Sequence, residues 1–187
     1  MVQTLSNMMP LGTVAPDFCL QDTVSDKKLS LQSLRGEVAT VIMFICNHCP
    51  FVKHIQDELV KLGQDYSSKQ VSIIAISSND VSNYPDDAPK FMKEVALTKG
   101  YKFPYLYDET QQTARSYAAT CTPDFFVFDK IMKCVYRGQL DDSRPGKDIP
   151  VTGKDLRNAL ESLLLGKQID ASQKPSIGCN IKWKPKI

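Results

Sequence analysis

Residues 44–55 read FICNHCPFVKHI, a stretch that holds two of the six cysteines and both histidines of the 187-residue chain. Cys46 and Cys49 form a Cys-x-x-Cys unit with His48 inside it. Two thiols at that spacing on a helix entry can close a disulfide, which gives a reversible two-electron couple. A helix amino terminus exposes unpaired N–H groups and a partial positive charge, so it favours a thiolate over a thiol. A protonated His48 pushes the same way. Cysteines in such positions have pKa values of roughly 3.5 to 7. Two frames are open. If Cys46 caps the helix, it is the exposed attacking sulfur and Cys49, one turn in, resolves. If Pro50 is instead the first helical residue, a position that suits proline, Cys49 is the cap and the thiolate.

Competing readings of the pair are a zinc half-site and two core thiols met by chance. Zinc needs a second pair, and Cys19, Cys121, Cys134 and Cys179 are all singletons. No metal and no other cofactor is therefore expected. His54 reads as a solvent-side or capping residue.

The elements that must position the pair alternate in period. EVATVIMFI is an apolar, β-branched run of the kind buried on both faces of a sheet. After Pro50 the period changes, and Val52, Ile55, Leu59, Leu62 and Tyr66 share one helical stripe. VSIIAIS reads as a second buried strand, and DAPKFMKEVALTKG as a helix stopped by Gly100. ETQQTARSYAA is a short helix. FFVFD and CVYRGQ are strands joined by a turn, and GKDLRNALESLLLGK is an amphipathic helix with Leu156, Leu160, Leu163 and Leu164 inward. The order describes an α/β protein, a mixed sheet covered by helices. Its first strand–helix junction carries the cysteines, where open α/β sheets place their chemistry.

The chain's length suits one domain, here residues 1–168, with a lysine- and proline-rich tail over residues 169–187 packed upon it. With a formal net charge of +2 and no basic stripe interleaved with aromatics, nucleic acid is not an expected partner. The longest apolar run, VIMFIC, is too short to cross a bilayer. The start lacks the charge and apolar stretch of a secretory signal, so no membrane association and a cytoplasmic location are expected. Six cysteines are too sparse for a disulfide scaffold.

A strand, then Cys-x-x-Cys, then a helix, with CTPDFFVFD later, resembles the thioredoxin superfamily. VAPDFCLQDTVSDKKLSLQSLRGE resembles the start of its redoxin branch, the alkyl hydroperoxide reductase/thiol-specific antioxidant proteins. CNHCPFVKH, SND…YP-D, FPYLYDET, YRGQLDDSRPG, GKDLR-AL and KPSIGCNIKW resemble the peroxiredoxin-like thioredoxin proteins of that branch, from about residue 12 to residue 184.

The resemblance implies a thioredoxin-like fold with an N-terminal strand extension (residues 1–36) and a thiol–disulfide oxidoreductase. Cys46 would attack, Cys49 would resolve, and the partners would be protein or small-molecule disulfides and a thioredoxin- or glutathione-type reducing system. It also implies that Pro123 is a cis-proline facing the pair, leaving the Thr122 backbone to pair with an extended substrate. Cys121 would then approach the motif and trap or relay a disulfide, or fill space as a small hydrophobe. Asp124 would move protons, or be a solvated strand end. Cys179, near the chain end, would resolve an oxidised thiol or dock with Trp183 as an edge segment. The alternative activity is a peroxiredoxin-like antioxidant peroxidase. Typical peroxiredoxins place threonine three residues before the reacting cysteine and proline four before that, whereas counting back from Cys49 finds Cys46 and Ile42. Without that hydroxyl, efficient peroxide reduction is not expected. Ordinary thioredoxins have a preceding tryptophan and an internal Gly-Pro, where this chain has Ile45 and Asn47-His48. A third reading is a non-catalytic redox-responsive or metal-holding module.

Overall fold

The structure, a computed structural model, describes residues 3–185. Residues 1–2 and 186–187, the outermost residues of the expected domain and tail, lie outside the described residues. In chain order the elements are β1 (Gln3–Leu5), β2 (Cys19–Asp22), β3 (Lys28–Ser30), α1 (Leu31–Leu34), β4 (Ala39–Phe44) and α2 (Pro50–Tyr66). There follow β5 (Val71–Ser77), a 3-10 turn (Pro85–Asp87), α3 (Pro89–Lys99), β6 (Tyr105–Tyr107), α4 (Gln112–Ser116) and β7 (Cys121–Thr122). β8 (Asp124–Asp129), β9 (Cys134–Gly138), α5 (Lys154–Leu164) and β10 (Ile177–Asn180) complete the chain.

All six residues of β4 are buried. The reason is topological: β4 pairs in parallel with β5 and antiparallel with β8, in the interior of a mixed sheet ordered β3-β2-β6-β5-β4-β8-β9. Side chains alternate across it. Val41, Met43 and Ile45 pack on one face with α2 and α5, while Ile42 and Phe44 pack on the other with Phe18, Tyr117 and Phe126. The α2 stripe expected from the sequence is the buried one. Val52, Ile55, Leu59, Leu62 and Tyr66 are each at most 4 % exposed, and burying side chains of this kind is worth about 1.5–3 kcal/mol each. Gly100, at φ 73°, ends α3 in the left-handed conformation that glycine adopts without strain.

Two parts of the fold differ from the expectations. The tail does not dock at an edge: β10 is the middle strand of a second sheet, ordered β1-β10-β7. Short β6 joins the main sheet where the sequence carries no strong period-2 signal, and β2 and β3, within the expected N-terminal strand extension, continue the sheet beyond it. The YRGQLDDSRPG loop is a structural turn. Asp141 accepts from Ser143, Thr152 and Gly153 amides, and Arg144 donates to the Asp141 and Ser143 carbonyls. His54, half-buried, has Nε2 2.7 Å from Ser143 Oγ in that loop. Among the described residues no helix is long and apolar enough to cross a membrane.

Candidate active site

The chain leaves the carboxyl end of β4, turns through Asn47 and His48, and enters α2 with Cys49 as N-cap and Pro50 as the first helical residue. The frame in which Cys46 caps the helix is thereby corrected. Proline's fixed φ and missing N–H fit the first helical position, so the helix begins one residue after Cys49 and Cys46 lies in the preceding loop. Neither sulfur is exposed, for Cys46 is 1 % and Cys49 0 % accessible. They are not sealed in hydrocarbon, however. Cys46 Sγ is 3.4 Å from Thr122 Oγ1, and Cys49 Sγ lies 3.2 Å from the Thr122 carbonyl, to which it donates when protonated.

The two thiols act on each other's acidity, and a hydrogen bond from Cys46 is the leading cause that separates them. Cys49 is lowered to about 5, first by the bond from Cys46, against an opposing burial penalty, and then by Cys179 and Thr122. It has no close side-chain cap bond, yet the Val52 amide in the first turn also favours its charged form. Cys46 is raised well above an ordinary thiol, because it donates to Cys49, is buried, and faces the negative charge of Asp87. Of the two sulfurs, Cys49 is the more acidic and Cys46 the less acidic.

Asp87 was not singled out by sequence, although it lies in the SND…YP-D tract. It is fully buried at the end of the 3-10 turn. Its Oδ1 accepts from the Asn47 and His48 amides at 2.8 and 3.2 Å. Its Oδ2 accepts from Asn79 Nδ2 at 2.8 Å and lies 2.6 Å from His48 Nδ1. Burial opposes its charge, but the bonds from His48 and Asn79 outweigh that and hold Asp87 below the usual carboxylate range. A carboxylate only accepts, so His48 Nδ1 carries a hydrogen directed at Asp87. Cys46 Sγ, 4.0 Å from the same nitrogen, is a distant neighbour of it. His48 therefore anchors the loop, stacked on Tyr84 with ring centroids 5.1 Å apart, rather than contacting a thiolate directly.

Ligand atoms of Cys46, His48 and Asp87 lie within 4.8 Å of one another, the one potential metal-holding group among the described residues. The two Asp87 oxygens and His48 Nδ1 are already engaged with each other and with neighbouring N–H groups. An ion would have to break those bonds.

The Thr122–Pro123 peptide bond is cis, and Thr122 lies against both thiols. The Thr122 backbone is not open to a substrate. Its neighbour is Cys179 of β10, paired antiparallel in register. Cys179 is 1 % exposed and shares a thiol–thiol hydrogen bond with Cys49. It is a fixed strand residue rather than a mobile tail cysteine. Burial, then that bond, raises it to about 12. Cys121 is buried with its Sγ–H directed at the Pro123 carbonyl, 3.8 Å away. Burial first, then the charges of Asp124 and Cys49, push it up. Asp124 belongs to the other face of the sheet. Alternation along β8 places it with Phe126 and Phe128, whereas Phe125 and Val127 pack with the motif thiols. Burial keeps its carboxyl well above the usual range, so it is not a solvated strand end.

The AhpC/TSA family matches residues 11–137. No curated protein matches the chain. An uncharacterised conserved protein from Geobacillus kaustophilus is similar along its whole length, with 58 % identity, 100 % of this chain and 99 % of that one covered, and a TM-score of 0.98. A hypothetical protein from Sinorhizobium meliloti is 43 % identical, with 98 % and 100 % covered and a TM-score of 0.95. The thioredoxin domain of a thiol-disulfide oxidoreductase from Bacteroides vulgatus shares the fold at 18 % identity, with 84 % and 99 % covered and a TM-score of 0.65.

Proposed function

Since the chain belongs to the AhpC/TSA family, we propose that this oxidoreductase is a thiol–disulfide exchanger in which Cys49 attacks and Cys46 resolves. The observation that carries this reading is the placement of Cys49 as N-cap at the amino end of α2, with Thr122 against both its sulfur and that of Cys46. The Cys49 thiolate attacks one sulfur of a substrate disulfide, and the other leaves as a thiolate that takes up a proton. Cys46 gives up its proton, attacks Cys49 Sγ and releases the second substrate thiol. The substrate gains two electrons, and the pair is left as a Cys46–Cys49 disulfide. An external dithiol or thiol, of the thioredoxin or glutathione kind, returns it to the reduced form.

Buried sulfurs and an occupied Thr122 edge favour small disulfides over extended polypeptides. The same burial favours a second reading, in which a hydroperoxide oxidises Cys49. Water then leaves as Cys46 condenses with the sulfenic acid to form the same disulfide. One experiment addresses both. After reaction with one equivalent of oxidised glutathione, non-reducing mass spectrometry is expected to find the peptide carrying Cys46 and Cys49 short of two hydrogens. Both thiols remaining reduced would overturn the exchange reading. Conversion that is faster with hydrogen peroxide at equal concentration would select the peroxidase.

A further inference from the structure

β10 lies against the one backbone segment that a substrate strand would need. Its seat is fixed from both sides. Ser176 Oγ donates to the Pro123 carbonyl at 2.6 Å, and the Ile181 amide donates to Thr120 O at 3.0 Å. Beyond the strand, Lys182 accepts from the Asp80 amide at 2.8 Å and donates its own amide to Asn79 Oδ1 at 2.8 Å. Gly178 allows the approach, since a Cβ there would collide with the Thr122 carbonyl. The chain thus supplies its own strand at the cis-proline segment, and that strand carries a cysteine opposite Thr122.

Cys49 Sγ lies 3.2 Å from the carbonyl of Thr122, the residue paired with Cys179 of β10, and both Cys46 and Cys179 act on its acidity. All three are buried in one cluster, with α2 packed on β10. A thiolate flanked by two thiols has two partners with which to form a disulfide, and thiol–disulfide exchange moves a bond between such partners through the shared sulfur.

We propose that Cys179 is a third redox thiol of the site, accepting the disulfide from the motif through Cys49. In the oxidised chain Cys179 attacks Cys49 Sγ, the Cys49–Cys179 bond forms, and the Cys46–Cys49 bond breaks. Cys46 leaves as a thiolate and takes up the proton that Cys179 gives up, so no electrons enter or leave. The exchange ties β10 to the helix cap and fixes the internal strand over Thr122. In that form the site is closed to polypeptide strands and open only to small reductants. The proposal rests on Cys49 being the nucleophile.

The test uses the full chain carrying Cys19→Ser, which removes the exposed cysteine, together with Cys46→Ser. The probe is the aromatic disulfide dithionitrobenzoate at one equivalent. Attack by Cys49 releases one thionitrobenzoate and leaves a mixed disulfide. Attack by Cys179 releases a second and leaves a Cys49–Cys179 cross-link. Two equivalents and the cross-linked peptide are expected, falling to one equivalent and a stable Cys49 adduct when Cys179→Ser or Cys179→Ala is added. One equivalent from every variant would overturn the proposal while leaving Cys49 as nucleophile. No release from any variant would overturn both.

Discussion

Cys49→Ser abolishes single-turnover reaction with a small disulfide, lowering its rate by at least ~10³-fold, the scale on which losing a nucleophile acts. Cys46→Ser retains that first step within about tenfold, because a serine hydroxyl still donates to the Cys49 sulfur. The asymmetry follows from the helix frame. Cys49 is the N-cap and is lowered to about 5, whereas Cys46 is raised as its hydrogen-bond donor. A serine at position 49 stays a neutral hydroxyl at pH 7 and cannot replace the thiolate. The measurement is stopped-flow release of the substrate's leaving thiol, corrected for the exposed Cys19 with a Cys19→Ser background. A burst retained in Cys49→Ser and lost in Cys46→Ser would place the nucleophile at Cys46.

Asp87→Ala is expected to destabilise the fold by about 3 kcal/mol, within the range for removing one partner of a buried, hydrogen-bonded charge. For a chain of this size that lowers Tm by roughly 6–12 °C. Four donors, the Asn47 and His48 amides, Asn79 Nδ2 and His48 Nδ1, lose their common acceptor in a fully buried place. The change also acts on chemistry. The Asp87 charge is one of the causes that hold Cys46 high, so its loss makes Cys46 alkylate faster at pH 8. Asp87→Asn keeps the side chain's shape and one acceptor oxygen, and its losses are smaller in both measurements. A Tm change under 2 °C in Asp87→Ala, with unaltered Cys46 reactivity, would remove Asp87 from the site.

The junction of β4 and α2 was legible because both its elements announce themselves. A run of apolar β-branched residues has to be buried on both faces, and the Val52–Ile55–Leu59–Leu62 stripe has to face a core. Pro50 also carried the frame of the helix, since it marks the first helical residue. The resemblance to other Cys-x-x-Cys proteins pointed the other way, and the local stereochemistry of proline prevailed. What stayed hidden rests on long separations. Asp87 is 39 residues from His48, and no periodicity tells an aspartate after Tyr84-Pro85 that its carboxylate will be enclosed by the loop of the motif. β10 offers four residues, including Gly178, with little strand propensity. Its place between β1 and β7 is decided by close backbone approach, which a sequence does not display. Thr122 shows both sides: its position by the sulfurs was legible, and the occupation of its backbone was not.

The claim on which the rest depends is that Cys49, and not Cys46, is ionised near neutral pH. Its most direct test is the rate of iodoacetamide alkylation at each cysteine, followed by peptide mass spectrometry between pH 4 and 10. A thiol with a lowered pKa is ionised above it, and its reactivity is lost as the pH falls through that value. The Cys49 rate is therefore expected to be flat above about pH 6 and half-maximal near 5, while Cys46 stays unreactive to the alkaline limit. A Cys49 profile with its midpoint at roughly 8.5, the value of an unperturbed thiol, or an acidic midpoint at Cys46 instead, would contradict it.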